Sequence, residues 1–92
     1  MKVTVNYLAQ LKQAAGIPSE NLVLEHPCSV QELAIQLAEK HGEPLRSFLL
    51  NSTGGLSNSI LVLVGDTQIH WDQPIPVQEG DVISFMSPIA GG

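Results

Sequence analysis

The chain ends in Gly91-Gly92, and that pair is the first candidate for chemistry, because it leaves a terminal carboxylate with no side chain beside it. By chance alone a chain ends this way roughly once in 200, given Gly at about 7% of residues, so the residues before it must carry the argument. They are Ser87-Pro88-Ile89-Ala90-Gly91-Gly92, directly after a β-type run, Val82-Ile83-Ser84-Phe85-Met86. Pro88 has no N–H to give to a ladder and biases Ser87 toward extended geometry, so strand pairing should fade there. Fully extended, the residues after Met86 would reach roughly 20 Å. An arm of that length enters a partner's active site while the folded body stays outside.

The remaining chemistry-bearing residues do not assemble into a catalyst in the sequence. Cys28 is the only cysteine, so neither an internal disulfide nor a cysteine-rich metal site is available. It directly precedes a helix cap, where an apolar residue staples against Leu33, and no base or cationic group stands beside it to make a reactive thiolate. His26, His41 and His70 lack the spacing of a local metal site, and His41 is expected to interact with the last carbonyls of a helix. No phosphate-binding glycine loop or dinucleotide fingerprint occurs. No serine sits at a strained strand-to-helix elbow, and Asp66, Asp72, Glu79 and Asp81 read as carboxylates of solvated turns. The chain is expected to be a substrate or carrier rather than an enzyme, with no bound metal and no bound cofactor.

Composition narrows the partners. The 92 residues are 43% hydrophobic, with a formal charge of −5, which suits one small domain. Lys2, Lys12, Lys40 and Arg46 are the only basic side chains apart from the histidines, too few and too scattered to neutralise a nucleic-acid backbone. The acidic balance suits a partner with a basic docking face. No continuous apolar run suggests a signal peptide or a membrane span, and a cytoplasmic protein is expected. Asn51-Ser52-Thr53 matches a glycosylation acceptor pattern but reads as a polar loop.

The elements that must hold the arm follow from periodicity. Val3, Val5 and Tyr7 alternate with polar residues, the pattern of a half-buried strand. From Leu8 to Ala15 the period becomes helical, with Gly16 as C-cap and Pro18 beyond. Asn21 to Glu25 alternates again and reads as a second strand. Ser29-Val30-Gln31-Glu32 is a capping box, opening a helix of about twelve residues, roughly 18 Å long. Val30, Leu33, Ala34, Leu37 and His41 line one of its faces, and Gly42 and Pro44 end it. Pro44 to Leu50 suggests one further helical turn, and Asn51 to Ser59 a loop. Ile60 to Val64 reads as a central strand buried on both faces. Gly65-Asp66 suits a tight hairpin turn, Gln68 to Trp71 the returning strand, Asp72 to Asp81 an irregular stretch, and Val82 to Met86 the last strand.

That order gives an α+β domain of the β-grasp, ubiquitin-like type: a mixed sheet of about five strands, one main helix across it and a short helix after strand one. The division is a domain over 1–86 and a flexible tail over 87–92. With Ile83 and Phe85 facing the core, Val82, Ser84 and Met86 would lie on a surface free to dock partners.

The segment Tyr7-Leu8-Ala9-Gln10-Leu11-Lys12-Gln13-Ala14-Ala15-Gly16 and the ending Gly80-Asp81-Val82-Ile83-Ser84-Phe85-Met86-Ser87-Pro88-Ile89-Ala90-Gly91-Gly92 together resemble the MoaD/ThiS ubiquitin-like sulfur carriers, above all the small subunit of molybdopterin synthase. Ser87 stands where many members have a second proline, and Gly65 where an asparagine is usual. The resemblance implies that an adenylating partner of the MoeB/ThiF type, related to ubiquitin-activating enzymes, uses ATP and magnesium to activate Gly92. A sulfur donor protein then converts it to a thiocarboxylate. The loaded arm would enter the large, MoaE-like synthase subunit and give its sulfur to the pterin precursor. Gly91 and Gly92 would carry the chemistry, since the absence of side chains leaves a narrow channel unobstructed. Pro88, Ile89 and Ala90 would line the entry. The same ending also fits carriers for cysteine, thiamine thiazole or tRNA thiolation, and a protein modifier that forms isopeptide bonds.

Overall fold

Alternation in β1 (Lys2–Leu8) sends Val3, Val5 and Tyr7 to one face, where each is at most 3% exposed, and this row is the floor of the core. The computed structural model describes residues 1–55, 57, 59–69 and 73–87. The other strands are β2 (Ser19–Val23), β3 (Leu61–Val64), β4 (Thr67–Gln68) and β5 (Val82–Met86). They form one mixed sheet in the order β2-β1-β5-β3-β4. Only β1 and β5 run parallel; the other three neighbouring pairs are antiparallel. The expected β-grasp architecture is present.

Three helices complete it: α1 (Gln10–Ala15), α2 (Val30–His41) and α3 (Leu45–Leu49). Ser29 caps α2 as a full capping box, its hydroxyl accepting from the Glu32 amide at 3.0 Å while Glu32 Oε1 accepts from the Ser29 amide at 2.9 Å. Val30, Leu33, Ala34, Leu37 and Ala38 of α2 are buried and join Val5, Ile83 and Phe85 in a single core. Thus α2 lies over the inner face of the sheet.

Several expectations shift. Helix α1 starts two residues late, because Leu8 completes β1 and Ala9 turns the chain at φ 56°, ψ −130°. Strand β2 begins two residues early, at Ser19 paired with Asn6. Strand β3 lies inside the sheet, between β5 and β4, but is not buried on both faces: Val62 is fully buried, whereas Leu61 and Leu63 face outward and are half-buried. The short hairpin holds, with Gly65 at φ 61° between Val64 and Thr67; Trp71 of the returning strand lies outside the described residues. His41 does not serve the helix carbonyls. Its Nε2 lies 2.6 Å from Glu20 Oε2, and its ring meets Tyr7 edge-on at 5.8 Å. Cys28 is half-buried against the core, and burial, followed by the nearby Glu32 charge, raises its thiol pKa.

Candidate functional site

The arm issues from β5, the middle strand, which ladders with β1 on one side and β3 on the other. Ile83 and Phe85 are fully buried. Period-2 geometry therefore turns Val82, Ser84 and Met86 to the outer face, where Val82 is 40% exposed and the other two are half-buried. The sequence assigned these three residues to that face, and the strand puts them there. Ser87, the first residue of the expected arm, is 4% exposed, and its hydroxyl has no hydrogen-bond partner among the described residues. Pro88, Ile89, Ala90, Gly91 and Gly92 lie outside the described residues.

Ladder register adds residues that sequence reading missed. Met86 is flanked by Leu8 of β1 and Leu61 of β3, so one apolar row crosses three strands at the end of the sheet from which the arm departs. Beside it runs a row of Asn6, Ser84 and Leu63, where Asn6 Nδ2 donates to Ser84 Oγ at 3.4 Å. Leu8 is 39% exposed. A signal was available: Leu8 shares its parity with Lys2, Thr4 and Asn6, and it is the one apolar residue on that outward side of β1. Reading it as the start of a helix concealed it.

Charge is concentrated elsewhere, at the β2 edge. Glu20 points inward beneath the C-terminal end of α2 and is met by Tyr7 OH at 2.6 Å, Lys40 Nζ at 2.7 Å and His41 Nε2 at 2.6 Å. Burial alone would raise its pKa, but the hydrogen bonds from Lys40, Tyr7 and His41 outweigh it and hold the carboxyl down at about 2. Burial, followed by the contact with Glu20, pushes the Tyr7 phenol up. Both Glu20 oxygens are engaged by donors from β1 and α2, so the cluster fastens β2 to the rest of the fold. The acidic turn is occupied likewise: Glu79 Oε1 accepts from the Lys2 amide and Asp81 Oδ2 from the Gln78 amide. Among the described residues no group of three or more His, Cys, Asp or Glu side chains could hold a metal ion. No helix among them is long and apolar enough to cross a membrane.

Similar structures bear out the geometry. The small archaeal modifier protein SAMP1 from Haloferax volcanii superposes with a TM-score of 0.83 at 21% identity, over 100% of both chains. A putative molybdopterin converting factor, subunit 1, from Pyrococcus furiosus gives 0.72 at 24% identity, over 97% of this chain and 99% of that one. SAMP1 from Methanosarcina acetivorans gives 0.76 at 26% identity, over 99% and 96%. A comparison with curated protein sequences finds no match. The ThiS family model matches residues 5–92, from the middle of β1 through to the terminal glycines. On that match the chain belongs to the ThiS family, whose members are small ubiquitin-fold sulfur carriers.

Proposed function

We propose that this chain carries sulfur as a thiocarboxylate on Gly92 and delivers it to the pterin precursor during molybdopterin formation, as the non-catalytic small subunit of the synthase. The observation that carries this reading is the family match running to residue 92, so that it includes Gly91 and Gly92. A carboxylate is a poor acyl donor. The adenylating partner, of the E1-like MoeB/ThiF type, supplies ATP and magnesium. A Gly92 oxygen attacks the α-phosphorus and pyrophosphate leaves, giving an acyl-adenylate. Sulfide-level sulfur from a sulfur donor protein then attacks the acyl carbon and AMP leaves with the bonding electrons, giving the thiocarboxylate with no change of oxidation state. Two such deliveries in the MoaE-like large subunit supply the two sulfurs of the dithiolene. The chain itself binds no cofactor in this scheme and works in the cytoplasm.

The body's share is placement. Strand β5 is laddered on both sides, and the Leu8–Met86–Leu61 row offers an apolar docking face beside the arm's root, with Val82 on the same face at the far end of the strand. Docking there, with Pro88, Ile89 and Ala90 lining the entry, fixes where the last two glycines reach. The likeness to a molybdopterin converting factor subunit favours the pterin pathway. The likeness to two small archaeal modifier proteins favours a second reading, in which activated Gly92 is passed to lysine amines.

Purified thiocarboxylated chain, incubated with a large synthase subunit and the pterin precursor, should yield the dithiolene product. Sulfur transfer only to a tRNA, thiazole or cysteine-forming system would move the carrier to that pathway. A Gly92–lysine isopeptide adduct in cell extract, without pterin conversion, would establish the modifier reading instead.

A further inference from the structure

The sheet has a second feature that the arm does not use. Strand β2 pairs only with β1 among the described residues, so its other side is open. The Tyr7 amide donates to the Pro18 carbonyl, and both the Leu24 amide and carbonyl bond Met1. By the alternation of an antiparallel ladder, the even-numbered residues of β2 face β1, and the N–H and C=O groups of Ser19, Asn21 and Val23 point outward. Five residues give an open edge of about 17 Å. The opposite edge strand, β4, has only two residues. Proteins usually blunt such edges with lysine, proline, a bulge or a charge turned inward; β2, Ser-Glu-Asn-Leu-Val in unbroken register, has no lysine, proline or bulge, and its one charge, Glu20, is already held by Tyr7, Lys40 and His41.

Beside this edge lies a groove of about 420 Å³, with Val23, Leu24 and Cys28 on the strand side and Glu32 and Gln36 of α2 on the other. Glu25, His26 and Pro27 also line it. Glu39, three residues beyond Gln36, continues the same helix face. None of Glu25, Glu32 and Glu39 takes part in an ion pair among the described residues, whereas Lys40, the cation on that face, is already committed to Glu20 at 2.7 Å. Glu25 and Glu39 therefore flank the open backbone with negative charge that no ion pair among the described residues meets, while Glu32 already accepts from the Ser29 amide through Oε1 at the N-terminus of α2.

We propose that the β2 edge and the acidic face of α2 form a second docking site, which takes an extended, positively charged segment of a partner protein by strand addition. Backbone pairing with Ser19, Asn21 and Val23 supplies the register, and Glu25, Glu32 and Glu39 select Lys or Arg side chains. The occupant is not a second copy of this chain: joining two β2 edges would bring two acidic stripes together on molecules that each carry a charge of −5. Strand β1 stands between this edge and β5, so the site is separate from the root of the arm.

The test uses the full-length ¹⁵N-labelled chain and the synthetic peptide Lys-Val-Arg-Val-Lys-Val. Amide shifts and slowed hydrogen exchange are expected at Ser19, Asn21 and Val23, fading as salt is raised. Reversing two charges, Glu25→Lys with Glu39→Lys, should weaken binding about tenfold. Asn21→Pro removes an outward N–H and the exposed Thr4 Oγ1–Asn21 Oδ1 bond but no backbone bond of the β1 ladder, as edge strands tolerate, and should abolish binding while leaving the Tyr7 and Phe85 core signals in place. Deleting Gly92 should change nothing here, which separates failure of this site from failure of the carrier reading. Equal binding of Glu-Val-Asp-Val-Glu-Val, shifts confined to Val82, Ser84 and Met86, self-association through β2, or no response at millimolar peptide would each overturn the proposal.

Discussion

Strands β5 and β2 are both five residues long, yet they are fixed by different physics. Strand β5 is central, laddered on both sides, and its inward residues Ile83 and Phe85 are fully buried hydrocarbon. Strand β2 has one neighbour and turns a carboxylate, Glu20, toward the core, where Tyr7, Lys40 and His41 hold it. The strand that bears the arm is thus insensitive to charge, since burial of apolar surface does not depend on pH. The edge strand depends on groups that titrate and on a pair that salt screens.

The contrast is broken most severely by Phe85→Ala, which leaves a cavity under β5 and should cost about 3–5 kcal/mol, measured by chemical denaturation and undiminished in high salt. Glu20→Gln comes next, at about 2 kcal/mol for hydrogen bonds to a charged group. Its effect should depend on pH. Glu20 has a folded pKa of about 2 against an ordinary 4.5, so its stabilisation is complete above the higher value and is lost as pH falls toward the lower one. The difference between the original chain and the Gln variant should therefore shrink across that window, and a difference unchanged by acid would show that the cluster is not what fastens β2. On the β5 side, Ala9→Gly should raise stability by about 1 kcal/mol, because alanine at φ 56° carries backbone strain that glycine does not. The smallest effect belongs to Lys40→Met, below about 1 kcal/mol and vanishing in molar salt, since the lysine is 54% exposed and such pairs contribute little.

The same contrast explains what could be read from the sequence. Strand β5 and helix α2 were legible because burial writes a clean period: Ile83 and Phe85 alternate with outward residues, and the capping box marks the start of α2. Strand β2 was placed two residues late because its inward position is occupied by Glu20, so apolar alternation begins only at Leu22. The partners of Glu20 come from β1 and α2, 13 to 21 residues away, and no local pattern announces them. The contact of His41 with Glu20 is hidden from the sequence for the same reason. The row of Leu8, Met86 and Leu61 depends on strand order, with the first strand beside the last, and order is set by the whole sheet rather than by any single stretch.

The proposed thiocarboxylate on Gly92 is open to direct measurement. Intact-mass measurement of the chain co-expressed with an adenylating enzyme and a sulfur donor tests it most directly, with a Gly92 deletion as control. The account predicts a species heavier by one sulfur in place of one oxygen, confined by fragmentation to Gly92 and absent from the deletion. An unchanged mass under conditions that load another member of the ThiS family would contradict it.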